Sequence, residues 1–428
     1  MTAPGHHSDT ARDTLNPLRR LVLPIYLPSA LMAVAQMALL MVLPLYMLEL
    51  GAGLAVTALV FAMRSLGSVV VNVPASLAIA RYGHRASMAV ANGMMGLSAL
   101  LIAMASSNWV IAVAVLVFGA GMGSWLLARL AYVTEQIPNH QRGTALAMLA
   151  GLQRLGMFAG PLLGGLGVET AGYRAIFAVI SLTALATATL AWLFASTASS
   201  PPSGRHQTEP LSAISEQTRP NSRPTYGLAT LVPSILRRYR ALFVTAGVFV
   251  FALQLVREQR RLLVVLWGTN IGLDAEAIGL VVSVASAVDM AMFPLAGYAM
   301  DHWGRKVAGV SCIGLLSIAL GLLPLTATTL PYLLVAVMAG VGNGFGSGVI
   351  MTMGADLAPA DERSQFLGVW RLVGDLGALV GPLLTSIVGS LVVALGLSAF
   401  VGLTGGLVLL TCVGETLSKK VHASHGET

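Results

Sequence analysis

The sequence predicts an all-α membrane protein built from two bundles of six membrane-spanning helices. Of its 428 residues, 56% are apolar and only 10% are charged, whereas soluble domains carry about 25% charged residues. Apolar stretches of about 20 residues recur along the chain, and each can cross a ~30 Å hydrocarbon core as a helix. Helices also satisfy their own backbone hydrogen bonds, as lipid requires. A soluble fold is excluded because too few polar residues remain to cover it.

The apolar stretches define twelve predicted spans. They are 21–49, 54–80, 86–106, 109–135, 143–168, 174–195, 241–270, 275–300, 306–326, 331–357, 364–390 and 392–415.

Five regions follow from these spans. Residues 1–20 and 417–428 form the two tails, and residues 21–195 and 241–416 form the two six-helix bundles. The linker at 196–240 is rich in Ser, Pro, Thr and Arg, and it has too little apolar surface to fold alone.

The distribution of basic residues predicts the orientation. An even number of spans places both termini on one side, and the loops of that side hold almost all the loop Lys and Arg: Arg19, Arg20, Arg81, Arg85, Arg142, Arg237, Arg238, Arg240, Arg305, Lys306, Arg363, Lys419 and Lys420. The opposite loops hold Arg174 alone. The positive-inside rule therefore predicts cytoplasmic termini in a cell inner membrane. It also explains the net charge of +7 without a nucleic-acid partner.

An internal repeat divides the chain. Several residues recur 221 positions later with the same or similar chemistry, namely Gly83 and Gly304, Arg85 and Lys306, Glu135 and Asp356, Pro138 and Pro359, Arg142 and Arg363, Pro161 and Pro382. The second bundle is thus a duplicate of the first. Two related bundles around a shared axis are typical of secondary transporters.

The loop after the eighth span carries a family resemblance. It reads Gly297-x3-Asp301-x2-Gly304-Arg305-Lys306, and this resembles the signature loop of the major facilitator superfamily. The corresponding loop of the first bundle matches this pattern in part, because Arg81, Gly83 and Arg85 are present. Ser76 replaces the first glycine of the pattern, and Ala80 replaces the aspartate. Together with the repeat and the linker, the resemblance covers the whole chain and implies the pseudo-twofold fold of that family.

The resemblance also implies a gating network that favours an outward-facing state. Asp301 is expected at the start of the fifth helix, near Arg142, where the helix dipole favours negative charge. Arg305 or Lys306 is expected to pair with Asp356. In the first half, Arg85 is expected to pair with Glu135, and Arg363 is the repeat equivalent of Arg142. The alternative, that these residues only set the topology, stays open.

The fifth span reads Gly156-x3-Gly160-Pro161-x2-Gly164-Gly165. It is similar to the glycine-proline motif of drug/proton antiporters, which favours export. The alternative is close helix packing, which glycines also permit. Two departures oppose the antiporter reading. The arginine of that group in the fourth helix is replaced by Val115 or Val117, and the first helix offers Gln36 rather than a carboxylate.

Charged residues within the spans indicate a hydrated interior, because each costs at least ~2.5–3.5 kcal/mol in a bilayer. In the seventh span Gln254, Arg257, Glu258 and Arg261 share a helix face, and the resemblance turns that helix toward a central cavity. The predicted substrate-binding residues are Gln36, Arg64, Arg154, Gln254, Arg257, Arg261 and Arg371. The arginine excess predicts a substrate with an acidic group. Alternatively, the arginines only neutralise the embedded acids.

Coupling to protons requires groups that change charge. Glu258, Asp289 and Asp375 are the candidates, and Asp289 ranks first because fewer arginines are near it in sequence. Asp375 is the repeat equivalent of Arg154, and a salt bridge between the two is expected to make Asp375 structural.

These observations predict a proton-coupled secondary carrier that exports a small amphipathic or acidic organic compound. Uptake of an organic anion is the alternative. A receptor or a membrane enzyme is less favoured, because the sequence shows no nucleophile–base arrangement, metal-ligand cluster or nucleotide-binding loop. We expect a monomer whose partners are a small substrate, protons and lipid, without a cofactor or metal.

Overall fold

The computed structural model describes residues 21–195 and 228–416, and every regular element in them is helical. Both tails and residues 196–227 lie outside the described residues, and so do the basic residues predicted for the tails, Arg19, Arg20, Lys419 and Lys420. Eleven stretches are long and apolar enough to cross a membrane. One of them, Leu54–Met104, is 51 residues long and is interrupted at Gly83. It therefore contains two spans, which brings the number to twelve and confirms the predicted fold class.

The membrane helices are numbered α1 to α12. Their bounds are Val22–Glu49 for α1, 54–82 for α2, 84–104 for α3, Asn108–Gln136 for α4, Asn139–Ala171 for α5, Tyr173–Phe194 for α6, Arg240–Asn270 for α7, Ala275–His302 for α8, Arg305–Leu325 for α9, Thr329–Leu357 for α10, Arg363–Val388 for α11 and Leu391–Cys412 for α12.

The backbone repeats with the sequence. Gly83 (φ 78°) separates α2 from α3, and its equivalent Gly304 (φ 99°) separates α8 from α9. Glycine adopts positive φ without the steric cost that a side chain brings. A second pair with the same offset, Gly51 and Gly272, also has positive φ. The duplication inferred from the sequence is thus a repeat of backbone conformation.

Two equivalent interfaces join the halves: α5 packs on α8, and α11 packs on α2. Because α11 and α2 are the repeat equivalents of α5 and α8, an approximate twofold axis relates the two contacts. At the first interface Gly165 lies against the backbone of Ala275, and Gly279 lies against the carbonyl of Pro161. No Cβ fits at either glycine, so the helix backbones touch.

The other glycines of the fifth-span motif pack α5 against α1. Gly156 lies against Ala33, and Gly160 lies against Val34 and Met37. Helix packing therefore accounts for the motif in this structure, as its alternative interpretation expected.

Within 21–195 and 228–416, the two halves share apolar packing on the side opposite to the termini. The terminus side is defined here as the side on which residues 21 and 416 lie. On the opposite side, Leu262, Val265 and Leu266 of α7 join the apolar core of the first half. On the terminus side, a cavity of about 610 Å³ lies between α2 and α11, next to Asn72 and Arg371.

Helix α10 is broken near its middle. It consists of Thr329–Phe345 and Val349–Leu357, and Gly348 between them adopts the left-handed conformation (φ 88°, ψ −16°). Broken spanning helices occur where irregular backbone lines a cavity or is buried in protein.

Part of the predicted linker is helical. Residues Leu228–Arg238 form a short linker helix, in which Ile235 is buried. Glu362, just before α11, lies 2.5 Å from Arg238 and accepts a hydrogen bond from the Tyr239 hydroxyl at 2.9 Å. The short helix does not fold alone: it packs against the second bundle, which supplies the apolar surface that the linker lacks.

Candidate functional site

Glu258 of α7 connects the two halves. Its Oε1 lies 2.7 Å from Arg64 of α2 and 2.7 Å from Arg261 of its own helix. The side chains of Arg64 and Glu258 are only 6% and 7% exposed, whereas Arg261 is 34% exposed. The Arg64–Glu258 pair is therefore a buried ion pair across the interface. Removal of Glu258 would leave the Arg64 charge buried without an acid partner.

Asp289 of α8 forms a second buried group. Asn343 of α10 donates a 2.5 Å hydrogen bond to its Oδ2, and Arg260 of α7 lies 3.7 Å away. Asp289 thus has one distant cation and one neutral donor, whereas Glu258 has two arginines in direct contact. Of the two buried acids, Asp289 is the less strongly neutralised.

Arg154 of α5 reaches across the interface to α10, where it donates a 2.7 Å hydrogen bond to the Ser347 hydroxyl. Its guanidinium also lies 3.7 Å from the ring centroid of Phe293, a cation–π contact. Ser347 follows Asn343 by four residues, and Phe293 follows Asp289 by four. The two groups that Arg154 contacts are therefore each about one helical turn away from the Asp289–Asn343 hydrogen bond, Phe293 on α8 and Ser347 on α10.

Arg257 of α7 points to the same break in α10. It donates a 2.9 Å hydrogen bond to the carbonyl of Gly346 and lies 3.4 Å from the Gln254 amide oxygen. Among the described residues, neither Arg257 nor Arg154 forms an ion pair. Two arginines without acid partners, one from each half, thus converge on adjacent residues of the broken helix.

The centre of the protein is net positive. Five arginines lie there with two acids, which leaves a formal surplus of three positive charges: Arg64, Arg154, Arg257, Arg260 and Arg261 against Glu258 and Asp289. Arg260 and Arg261 also line a central cavity of about 60 Å³, which has room for several water molecules. Such a site attracts anions.

Two predicted site residues lie elsewhere. The amide of Gln36 is buried and donates to the Met95 sulfur at 3.7 Å, so it faces α3 within its own bundle. Arg371 lies 3.8 Å from Asp375 one turn along α11, and its side chain is 51% exposed.

The expected salt bridge between Arg154 and Asp375 is wrong. Arg154 bonds to Ser347, and Asp375 pairs with Arg371. Helix α5 packs on α8 and helix α11 packs on α2, so the two residues lie on opposite sides of the twofold axis.

The residues predicted for gating make contacts within each half. Arg305 lies 3.2 Å from Asp356, as expected for the second half. In the first half the expected Arg85–Glu135 pair is wrong, because His84 lies 2.8 Å from Glu135. The repeat explains this result: residue 84 is the equivalent of 305, and residue 85 is the equivalent of 306.

The expected contact between Asp301 and Arg142 is absent from this conformation. The Asp301 side chain is 72% exposed and lies 3.9 Å from Arg305, while Arg142 donates to the Ile137 carbonyl. The backbone amide of Lys306 instead donates to Glu415, and Arg363 is exposed at the start of α11.

The predicted binding residues did not include four contact residues, Arg260, Phe293, Asn343 and Ser347. Arg260 carried the same signal as its neighbours, a charge within the seventh span, and a weaker signal existed for two of the others. Asn343 and Ser347 are polar residues one turn apart within the glycine stripe of α10, and polar side chains in such a stripe face neighbouring helices. Phe293 gave no signal, because an aromatic residue in an apolar helix is unexceptional.

A duplicated, twelve-span helical fold around a charged interior defines a membrane transporter. The family model of the Major Facilitator Superfamily matches residues 25–256 and 259–427. The chain therefore belongs to the Major Facilitator Superfamily.

Solved structures support the same fold. One similar structure is a POT family transporter in complex with a thioalcohol-conjugated peptide, with 12% identity and a TM-score of 0.72. Another is a POT family transporter in complex with 5-aminolevulinic acid, with 12% identity and a TM-score of 0.68. In both comparisons the match covers 92% of this chain and 95% of the other. No curated protein matches the chain.

Proposed function

We propose that this transporter is a proton-coupled carrier for the uptake of a small organic anion. The observation that carries the proposal is the convergence of Arg154 and Arg257 on Ser347 and Gly346 without an acid partner among the described residues. A guanidinium binds a carboxylate with two parallel hydrogen bonds. Here the present partners are a hydroxyl and a carbonyl, which an anion can replace.

Substrate binding at this point is coupled to the movement of the halves. Arg154 belongs to α5 and Arg257 belongs to α7, so an anion held by both arginines bridges the two bundles. A ligand shifts a conformational equilibrium by its difference in affinity for the two states. An anion that needs both arginines therefore favours the state in which they are close together.

Asp289 is the proposed proton-binding residue, because it lies about one turn from Arg154 and its ion pair with Arg260, at 3.7 Å, is longer than the two that hold Glu258 at 2.7 Å. An ionised Asp289 opposes the binding of an anion nearby. For separations of about 5–10 Å and an effective dielectric constant of about 20, that repulsion is roughly 2–3 kcal/mol. Since linkage is reciprocal, anion binding and protonation favour each other.

The sign of this linkage favours cotransport. When the proton and the anion bind together, an inward proton gradient drives uptake. Export, which the sequence favoured, remains the second candidate because of the glycine-proline motif of α5, although helix packing accounts for those glycines. Glu258, held by two arginines, is better suited to bracing the halves than to releasing a proton.

The test begins with a thermal-shift screen of the purified protein against small organic acids, each paired with its uncharged amide. The panel includes 5-aminolevulinic acid, because a similar transporter structure contains it. We expect stabilisation by acids and not by amides, with loss of the effect in Arg154→Gln and Arg257→Gln. Arg371→Gln is the matched control, because that arginine pairs with Asp375 away from the centre.

Transport is then measured in proteoliposomes with the acid that binds best. We expect uptake driven by an inward proton gradient, and Asp289→Asn should make the flux insensitive to that gradient. Equal binding of acids and amides contradicts the anion site. If the substrate moves only in the direction opposite to the protons, the protein is an exporter and the uptake proposal is wrong.

We also propose cytoplasmic termini in a cell inner membrane. The described loops of the terminus side support this orientation, because they hold nearly all of the loop Lys and Arg, whereas the opposite loops hold Arg174 alone. A reporter that works only in the cytoplasm is fused to residue 428, and we expect it to be active. An inactive reporter would show that the orientation is the opposite one.

A further inference from the structure

An apolar groove runs along the outside of the first half. It has a volume of about 560 Å³ and is lined almost entirely by apolar side chains of α2 and α3, with one residue each from α4 and α6. Tyr82, Val90 and Trp192 line it and are 64%, 62% and 50% exposed. The groove therefore faces the surroundings of the bundle, which in a membrane are lipid chains.

Two arginines lie at the terminus-side end of this groove. The guanidinium of Arg81 is 5.5 Å from the ring centroid of Tyr82, and that of Arg85 is 4.7 Å from Trp192. Both rings belong to the lining, so both charges border it.

These arginines have no acid partner within 21–195 and 228–416. Glu135, the expected partner of Arg85, pairs with His84 instead. The guanidinium charges of both arginines therefore lie beside the groove without an anion from this part of the chain to balance them. An anionic ligand in the groove is the complement that these charges favour.

We infer that the groove binds an anionic diacyl phospholipid, with its phosphate between Arg81 and Arg85 and an acyl chain along α2 and α3. The charge and the apolar lining match the two ends of such a molecule. Guanidinium groups bind phosphate with two hydrogen bonds. The terminus side is the side whose loops carry the basic residues, where anionic headgroups attract Arg and Lys.

Bound lipid is counted by native mass spectrometry of the full-length protein, titrated with phosphatidylglycerol or phosphatidylcholine. We expect one phosphatidylglycerol to be retained more tightly than phosphatidylcholine. Arg85→Gln should weaken that binding about fivefold, because one cation at the headgroup contributes about that factor. Arg174→Gln is the matched control, since it removes one exposed arginine on the opposite side.

A second variant separates the chain site from simple headgroup attraction. Ala78→Trp keeps both arginines but fills the groove that Ala78 lines, and it should abolish the tight binding. Retention of phosphatidylglycerol in both Arg85→Gln and Ala78→Trp refutes the site. Equal retention of the two lipids refutes the anion preference.

Discussion

Replacing Glu258 by glutamine tests whether the central ion pair holds the halves together. The substitution keeps the shape of the side chain and removes its charge. Arg64 then remains in place with a side chain that is 6% exposed, so water cannot replace the lost partner. Breaking a buried pair by removing one partner costs about 3–5 kcal/mol. Arg261 adds little to this, because its side chain is 34% exposed and water screens it.

The measurement is the free energy of unfolding of the purified protein in mixed micelles, in a double-mutant cycle. Arg64→Gln alone should cost less than Glu258→Gln, because Glu258 keeps Arg261 as a partner. The double variant leaves no unpaired buried charge, so it should recover at least about 2 kcal/mol relative to the sum of the single changes. Glu135→Gln, whose side chain is 60% exposed, is the control and should change stability by less than about 1 kcal/mol.

Additivity would refute this account. If the double variant equals the sum of the two single variants within about 0.5 kcal/mol, Arg64 and Glu258 are energetically independent. The 2.7 Å contact between them would then contribute nothing to the free energy that holds the two halves together.

Three further predictions concern packing and hydrogen bonds. Gly344→Ala should destabilise the fold by about 1–3 kcal/mol, because a Cβ at this position meets the backbone of α8 at 2.6 Å. Gly314→Ala is the control and should be neutral in the same unfolding assay, because a Cβ there meets nothing within 4 Å. Trp267→Phe should cost about 1–3 kcal/mol, since its buried indole donates to the carbonyl and hydroxyl of Thr326, and unchanged stability contradicts this. Glu362→Gln should speed amide hydrogen exchange in the linker helix, which docks on that carboxylate, and unchanged protection contradicts that role.

The sequence predicted the fold well because membrane insertion leaves few choices. Length and apolar composition determine a spanning helix, and the fixed offset between equivalents such as Gly83 and Gly304 identifies the duplication. The bounds of the spans were close, with α2 and α3 separated where the sequence placed a loop. These properties depend on local sequence and on the bilayer, so they require no knowledge of helix rotation.

The contacts of the site were harder to predict, because they depend on rotation about each helix axis. Successive residues on a helix point about 100° apart, so His84 and Arg85 face different neighbours. Gly83, with φ of 78°, sets the direction in which α3 begins, and a sequence pattern does not reveal that direction. The same uncertainty concealed Arg260, which faces Asp289, between two arginines that were predicted.

The repeat shows which features the two halves share and which they do not. Gly119 lies against the backbone of Arg64, and its equivalent Gly340 lies against the backbone of Ala285; residues 64 and 285 are themselves equivalents. The frame of helix contacts is therefore symmetric, whereas the charges are not. At the position of Arg257 in the second half, the first half has Gln36.

Symmetric packing and asymmetric charge have a joint consequence for the transport cycle. The twofold frame gives each half equivalent interfaces on which to move. The charged groups instead link the two halves, because Arg64 pairs with Glu258 and Arg154 donates a hydrogen bond to Ser347 across the axis. Any movement that separates the halves must break these contacts, and each arginine left unpaired in a low-dielectric interior raises the energy of the separated state. In the proposed mechanism, an anion held by both Arg154 and Arg257 adds a further contact across the axis and favours the state in which the two arginines are close together. Occupancy of that site, rather than the symmetric frame, would then determine which movement is accessible.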